Sequence, residues 1–170
     1  AVDLVSRLRP GAEIWVGEPT WPNHTQIIES SRITARRHDW ITDDARSLNT
    51  SALFDAIAAA KGGDAMILHG ACHNPTGIDP TPDQWNEIAQ QIAHRGILPI
   101  LDFAYQGFGE GLIEDAASLR AFLATGCEVL VASSSSKNFA LYNERVGSLA
   151  IIGADGAAAA SIASHARMAV

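Results

Sequence analysis

One lysine lies in the run Ser133, Ser134, Ser135, Ser136, Lys137, Asn138, Phe139, Ala140, Leu141, Tyr142, Asn143, Glu144, Arg145, Val146, Gly147, between small hydroxyl residues and an arginine. A neutral lysine amine condenses with a carbonyl to give a Schiff base, while serine hydroxyls and a planar guanidinium suit phosphate oxygens. The run therefore reads as a place to hold an aldehyde and a phosphate on the same molecule. Pyridoxal phosphate offers both groups.

Two segments upstream supply further polar groups: Asp102, Phe103, Ala104, Tyr105, Gln106, Gly107, Phe108, and His73, Asn74, Pro75, Thr76, Gly77. A fourth, Pro19, Thr20, Trp21, Pro22, Asn23, His24, lies near the start. Taken together and in this order, the four segments resemble the aspartate aminotransferase family, the class I branch of fold-type-I pyridoxal-phosphate enzymes. The resemblance runs over essentially the whole chain.

The resemblance implies a role for each matching residue. Lys137 would form the internal aldimine with the cofactor and carry the proton between the substrate α-carbon and the cofactor, both of which need a neutral amine. Asp102 would pair with the pyridine nitrogen and keep it protonated, so that the ring accepts electrons. Tyr105 and Asn74 would donate hydrogen bonds to the ring's phenolic oxygen. Arg145, Ser134 and Ser136 would hold the phosphate, and Trp21 would stack on the ring. His24 and His69 would stand behind Asp102 and orient it. The Asn74–Pro75 bond is expected to be cis.

Each residue type also has a plainer use. An arbitrary lysine is a solvated surface charge, a lone aspartate often caps a helix, and Asn-Pro-x-Gly marks turns everywhere. Glu144 reads as a structural partner beside Arg145. If the serine run is extended, Ser133 and Ser135 face away from Ser134 and Ser136. Trp15, Trp40 and Trp85 are assigned to packing, and His38, His73, His94 and His165 receive no functional role.

The positioning elements follow from the hydrophobic pattern. Short apolar runs at 14–16, 33–38, 65–69, 97–102, 129–133 and 148–152 alternate with helical patterns at 24–31, 51–60, 82–94 and 115–125. Thr81 followed by Pro82 is a strong helix start. Residues 65–69 and 97–102 lack polar alternation, which suits a sheet covered on both faces. The expected fold is α/β, a three-layer sandwich with a largely parallel sheet, like the major domain of fold-type-I enzymes but incomplete. In such sheets ligands bind beyond the carboxyl ends of the strands, where Asn74, Asp102 and the serine-lysine run fall.

With 170 residues and 47% hydrophobic content, the chain can bury one sizeable core. A formal net charge of −7 with no basic run argues against nucleic acid or anionic membranes as partners. Cys72 and Cys127 fit neither a disulfide framework nor a metal-ligand spacing, so no metal is expected. No apolar run approaches the roughly 20 residues of a membrane span and no secretory pattern opens the chain, so a cytoplasmic location is expected.

The chain opens on residues 1–8 as the body of a helix without an N-cap, and residues 162–170 read as a helix without a stop signal. Residues 1–170 are thus expected to be part of a large cofactor-binding domain, with an N-terminal segment and a C-terminal small domain absent. Alone the chain is expected to be inactive. The expected activity of the full-length protein is pyridoxal-phosphate-dependent amino-group transfer between aspartate or an aromatic amino acid and a 2-oxo acid such as 2-oxoglutarate, in a homodimer. Alternatives are a β-lyase or decarboxylase on the same scaffold, or a non-catalytic truncated domain. A nucleotide-binding module has little support, since GxGxxG and GxxxxGK[ST] are both missing.

Overall fold

Residues 1–168 are described by a computed structural model. The elements, in chain order, are α1 (Val2–Leu8), β1 (Glu13–Glu18), α2 (Pro22–Ser30), β2 (Thr34–Asp39), α3 (Thr50–Ala59), β3 (Ala65–His69), α4 (Pro82–Arg95), β4 (Leu98–Phe103), a 3-10 turn (Glu114–Ala116), α5 (Ala117–Thr125), β5 (Val129–Ser134), β6 (Gly147–Ile152) and α6 (Gly156–Arg167). The strands form one sheet in the order β2-β1-β3-β4-β5-β6. All neighbours are parallel except β5 and β6, which pair antiparallel.

Alternate side chains of a strand point to opposite faces, so a doubly covered strand must be apolar at every position. In β3, Met66 and Leu68 enter one core while Ala65 and Ile67 enter the other. The neighbouring β4 divides likewise, with Leu101 and Phe103 on one face and Leu98 and Ile100 on the other. Leu53 and Ile57 of α3, Trp85, Ile88 and Ile92 of α4, and Phe122 of α5 cover the first face. Val2, Leu4 and Val5 of α1 and Ile28 of α2 cover the second, where Ile162 of α6 also packs. The result is a three-layer sandwich.

The start signal at Thr81 is a full capping box. Thr81 Oγ1 accepts from the Gln84 N–H at 3.3 Å, and the Gln84 side chain accepts from the Thr81 N–H at 2.8 Å. The same helix, α4, ends on Gly96 at φ +67°, a left-handed conformation that costs glycine nothing. Element edges differ from the sequence expectation by a residue or two. One exception is the pattern at 115–125, which splits into a 3-10 turn and α5. The Asp115 carboxylate causes the break by turning back to accept the N–H groups of Gly107, Gly109 and Glu110 at 2.7, 3.0 and 2.9 Å. The last helix starts earlier than expected, because Asp155 caps it by accepting from the Ala158 N–H. Ala169 and Val170, part of the expected final helix, lie outside the described residues. Among the described residues no helix is long and apolar enough to cross a membrane.

Candidate active site

The site is built from the carboxyl ends of β3, β4 and β5 and the turns that follow. In the parallel register His69 lies opposite Asp102, and Phe103 opposite Ser133, so three loops leave the sheet side by side. Close packing sets their height. An added Cβ at Gly70 would stand 2.5 Å from the Phe103 ring, so only glycine lets the chain leave β3 there. Ser118 of α5 ties this turn down by donating to the Gly70 carbonyl at 2.8 Å.

One cavity at this end is lined by Trp21, His69, Asn74, Asp102, Ala104, Tyr105, Ser134, Ser136, Lys137, Tyr142 and Arg145. Every cofactor-contact position expected from the sequence is therefore brought to one place. Ser134 and Ser136 line it while Ser133 and Ser135 do not; the strand ends at Ser134 and a turn opens at Ser136, so the turn and not an extended run places the second serine. Ser134 Oγ accepts from the Ser136 N–H at 3.2 Å, which leaves its own hydrogen free to donate to an anion. The Asn74–Pro75 bond is cis, and so is Glu18–Pro19.

Asp102 is fixed from behind. Its Oδ2 is 2.9 Å from His24 Nε2, and His24 Nδ1 is 2.9 Å from Thr20 Oγ1. With Asp102 ionised and the ring neutral, Nε2–H donates to the carboxylate and the Thr20 hydroxyl donates to Nδ1. His69 does not bond Asp102. It packs against His24 with ring centroids 5.0 Å apart, and its buried Nε2 lacks a hydrogen-bond partner. The donor atoms of His24, His69 and Asp102 lie within 4.8 Å of one another. Burial, reinforced by the charge of His24 and opposed by Asp102, lowers the His69 pKa to about 4, so the ring is neutral at pH 7.

In the same cavity, Lys137 Nζ sits 4.3 Å from the centroid of the Tyr105 ring, within reach of a cation-π contact. Glu144 makes no ion pair with Arg145 among the described residues, contrary to the expected partnership. Both are exposed, and Arg145 takes φ +52°, a left-handed backbone.

A family model for aminotransferases of class I and II matches residues 1–169. The chain belongs to this aminotransferase family. It is 47% identical over 152 residues to an aspartate aminotransferase of Haemophilus influenzae, covering 89% of this chain and 38% of that protein. An aromatic-amino-acid aminotransferase of Paracoccus denitrificans is 43% identical over 157 residues, covering 92% of this chain and 40% of that one. Among solved structures, an aromatic-amino-acid aminotransferase of Burkholderia pseudomallei covalently bound to pyridoxal phosphate superposes with a TM-score of 0.94. That match is at 35% identity and covers 98% of this chain and 42% of the other. This aminotransferase chain thus spans about two-fifths of the length of these relatives.

Sequence reasoning missed Thr20, whose signal was present: it precedes His24 by four residues, the spacing that lets a hydroxyl reach a ring across one turn. It also missed Tyr142 and Ala104 as lining residues, and His73, which is buried against Trp40 and His69.

Proposed function

We propose that the protein containing this chain transfers an amino group between an amino acid, aspartate or aromatic, and a 2-oxo acid such as 2-oxoglutarate, using pyridoxal 5'-phosphate. The observation that carries this reading is the meeting of Lys137, Asp102, Tyr105, Asn74, Arg145, Ser134, Ser136 and Trp21 around one cavity. The donor set fits the cofactor group by group: an amine for its aldehyde, a carboxylate for its ring nitrogen, hydroxyls and a guanidinium for its phosphate. The bound cofactor supplies an aldehyde and a ring that takes up the electrons freed when a substrate α-carbon loses its proton.

The chain's own residues do the rest. Lys137 Nζ would hold the group by its aldehyde and, once free of it, would carry a proton from and to the substrate α-carbon. The Asp102 carboxylate, held by His24 and Thr20, keeps a negative charge against the ring nitrogen. Tyr105 and Asn74 offer a hydroxyl and an amide to the ring's oxygen, and Trp21 offers a flat face. Arg145 gives the phosphate a fork of N–H donors, and Ser134 and Ser136 add hydroxyls. His24 orients Asp102 through their hydrogen bond, and His69 backs the His24 ring. A β-lyase or decarboxylase would use the same handles. Relatives named for aspartate and for aromatic amino acids both match, which favours transfer.

In this reading residues 1–170 are part of the large cofactor-binding domain, the protein acts in the cytoplasm, and it assembles as a homodimer. Support for the dimer comes from Phe139, Leu141, Tyr142 and Val146, four exposed apolar side chains in one loop beside the cavity.

The test is to incubate the full-length protein with pyridoxal phosphate, reduce with borohydride and locate the adduct by peptide mass spectrometry. This segment has two lysines, Lys61 and Lys137. A dominant adduct on Lys137, together with amino transfer to 2-oxoglutarate, is the expected result; labelling of Lys61 in preference would overturn it.

A further inference from the structure

A stack of rings continues behind the His24–Asp102 pair, and two of its members, His73 and Trp40, have no role in the function proposed above. His69 meets His73 edge-on with centroids 4.2 Å apart and an interplanar angle of 62°, and His73 lies flat on Trp40 at 4.6 Å and 9°. All three are buried: 5% of His69, 3% of His73 and 2% of Trp40 is exposed.

The loop that carries His73 is closed upon itself. Asp79 accepts the N–H groups of Cys72 and His73 at 2.6 and 2.8 Å. The Ile78 N–H donates to Thr76 Oγ1 at 3.1 Å, and that hydroxyl lies 2.9 Å from His73 Nδ1. Thr76 Oγ1 thus accepts from the Ile78 N–H and also pairs with His73 Nδ1, donating to it or accepting from it according to the ring's tautomer. Trp40 joins the same loop by donating from Nε1 to the Ile78 carbonyl at 3.0 Å. Asn74 follows His73 directly and projects into the cavity wall.

We propose that His73 is a positioning residue, clamped by Trp40 and Thr76, which shuts water away from His69 behind Asp102 and fixes the turn that presents Asn74. The clamp has an electrostatic consequence. The groups facing His69 are His24 from α2, Asp102 from β4 and His73 from the loop, with Lys137 and Arg145 on the same cavity. A charged His69 would offset Asp102, the group whose negative charge the ring nitrogen needs. Burial prevents this, and the His73 ring is part of what buries it. His73 is itself pushed down to about 3, chiefly by burial and then by the charges of His69 and His24, so it adds no competing cation.

The proposal rests on the aminotransferase reading for its consequence, yet its first readout needs no cofactor. In the cofactor-free full-length protein, the His69 ring is titrated by nitrogen NMR, its signal assigned by loss in His69→Gln. The midpoint is expected near 4 in the parent and to stay low in His73→Phe, which keeps a ring against both neighbours. In His73→Ala it is expected to rise toward 6.5 as water enters. His73→Asn, which can still partner Thr76 but is too short to cover His69, is expected to follow His73→Ala. With pyridoxal phosphate bound, the pH midpoint of its visible band is expected to move in the two short variants and not in His73→Phe.

An unchanged His69 midpoint in folded His73→Ala or His73→Asn would overturn the proposal. So would failure of both short variants to fold while His73→Phe folds, since His73 would then be a structural residue only. Absence of the Lys137 adduct, by contrast, would remove the aminotransferase reading and leave the His69 result standing.

Discussion

Asp102 and Lys137 line the same cavity but are held in different ways. Behind Asp102 come His24, Thr20, His69, His73 and Trp40, all buried and all joined by hydrogen bonds or ring contacts. Around Lys137 the chain is exposed throughout residues 138–148 and held chiefly by backbone bonds, such as Ser135 N–H to Val146 O at 3.0 Å and Ala140 N–H to Lys137 O at 3.1 Å. The ring-nitrogen end is thus preorganised by the protein itself. The Lys137 end has no comparable buried frame. Orienting a carboxylate in advance matters most where a fixed charge must act, because its reorganisation then costs nothing during reaction.

The strongest way to break this contrast is to remove Lys137. Lys137→Ala is expected to abolish the borohydride-trapped adduct and lower the amino-transfer rate by about 10⁴-fold or more, the loss of both a nucleophile and a proton carrier. Its thermal midpoint should barely move, because an amine over an aromatic face contributes only about 1 kcal/mol or less at a partly exposed site. A large drop in stability would show that the lysine loop is as built-in as the Asp102 end.

Asp102→Asn strikes the preorganised end. Its side chain keeps nearly the same shape but loses the charge, so the rate is expected to fall by about 10²- to 10⁴-fold, in proportion to a proton that the ring no longer holds. The absorbance of bound pyridoxal phosphate should titrate differently as well. Retention of both rate and spectrum would place the ring nitrogen elsewhere.

Gly70→Ala tests the packing beneath that end without touching a polar group. The added methyl would meet three atoms of the Phe103 ring at 2.5 to 2.7 Å, and Phe103 is itself buried in the core. A loss of about 1–3 kcal/mol in unfolding experiments is expected. Gly126→Ala, at φ +73° with open space around the site, would separate backbone cost from clash.

Acid should also act on one end first. His69 and His73 have folded-state pKa values of about 4 and about 3, below the ordinary 6.5, so the unfolded chain binds more protons than the folded one between these values. Their burial as neutral rings therefore costs stability as pH falls from about 6.5 toward 3 and costs nothing further above 6.5. Unfolding free energy measured across this window should decline on acidification, and His69→Gln should flatten the decline.

Most of this contrast can be traced to where the sequence carries local signals. The strands of the sheet and α4 show in the chain because apolar runs and the Thr81–Pro82 helix start are short-range features. The residues lining the cavity show because their four segments resemble a known family, and each sits just beyond a strand. What stayed hidden depends on contacts between distant parts of the chain. The Trp40–His73 stack joins residues 33 apart, and nothing in the sequence around either one marks a partner. Asp115 hid for another reason: a helical pattern ran through it, while its carboxylate was committed to three N–H groups of the loop before it. Tertiary hydrogen bonding overrode the pattern there.

The finest test concerns Thr20, the outermost member of the chain that fixes Asp102. Thr20→Val keeps the shape and removes the hydroxyl 2.9 Å from His24 Nδ1. A buried ring nitrogen then lacks a partner, with an expected cost of about 1–3 kcal/mol in unfolding free energy. The more telling readout is the tautomer. With Thr20 present the Nε2 proton is favoured, because the hydroxyl donates to Nδ1 while Asp102 accepts from Nε2–H. Without it, only Asp102 selects the tautomer, and the Nε2–H population of His24 seen by nitrogen NMR should fall. Thr20→Ser should restore the parent signal and stability. If the valine variant matches the parent in both, the Asp102 wall is held by packing alone, and its difference from the Lys137 wall reduces to burial.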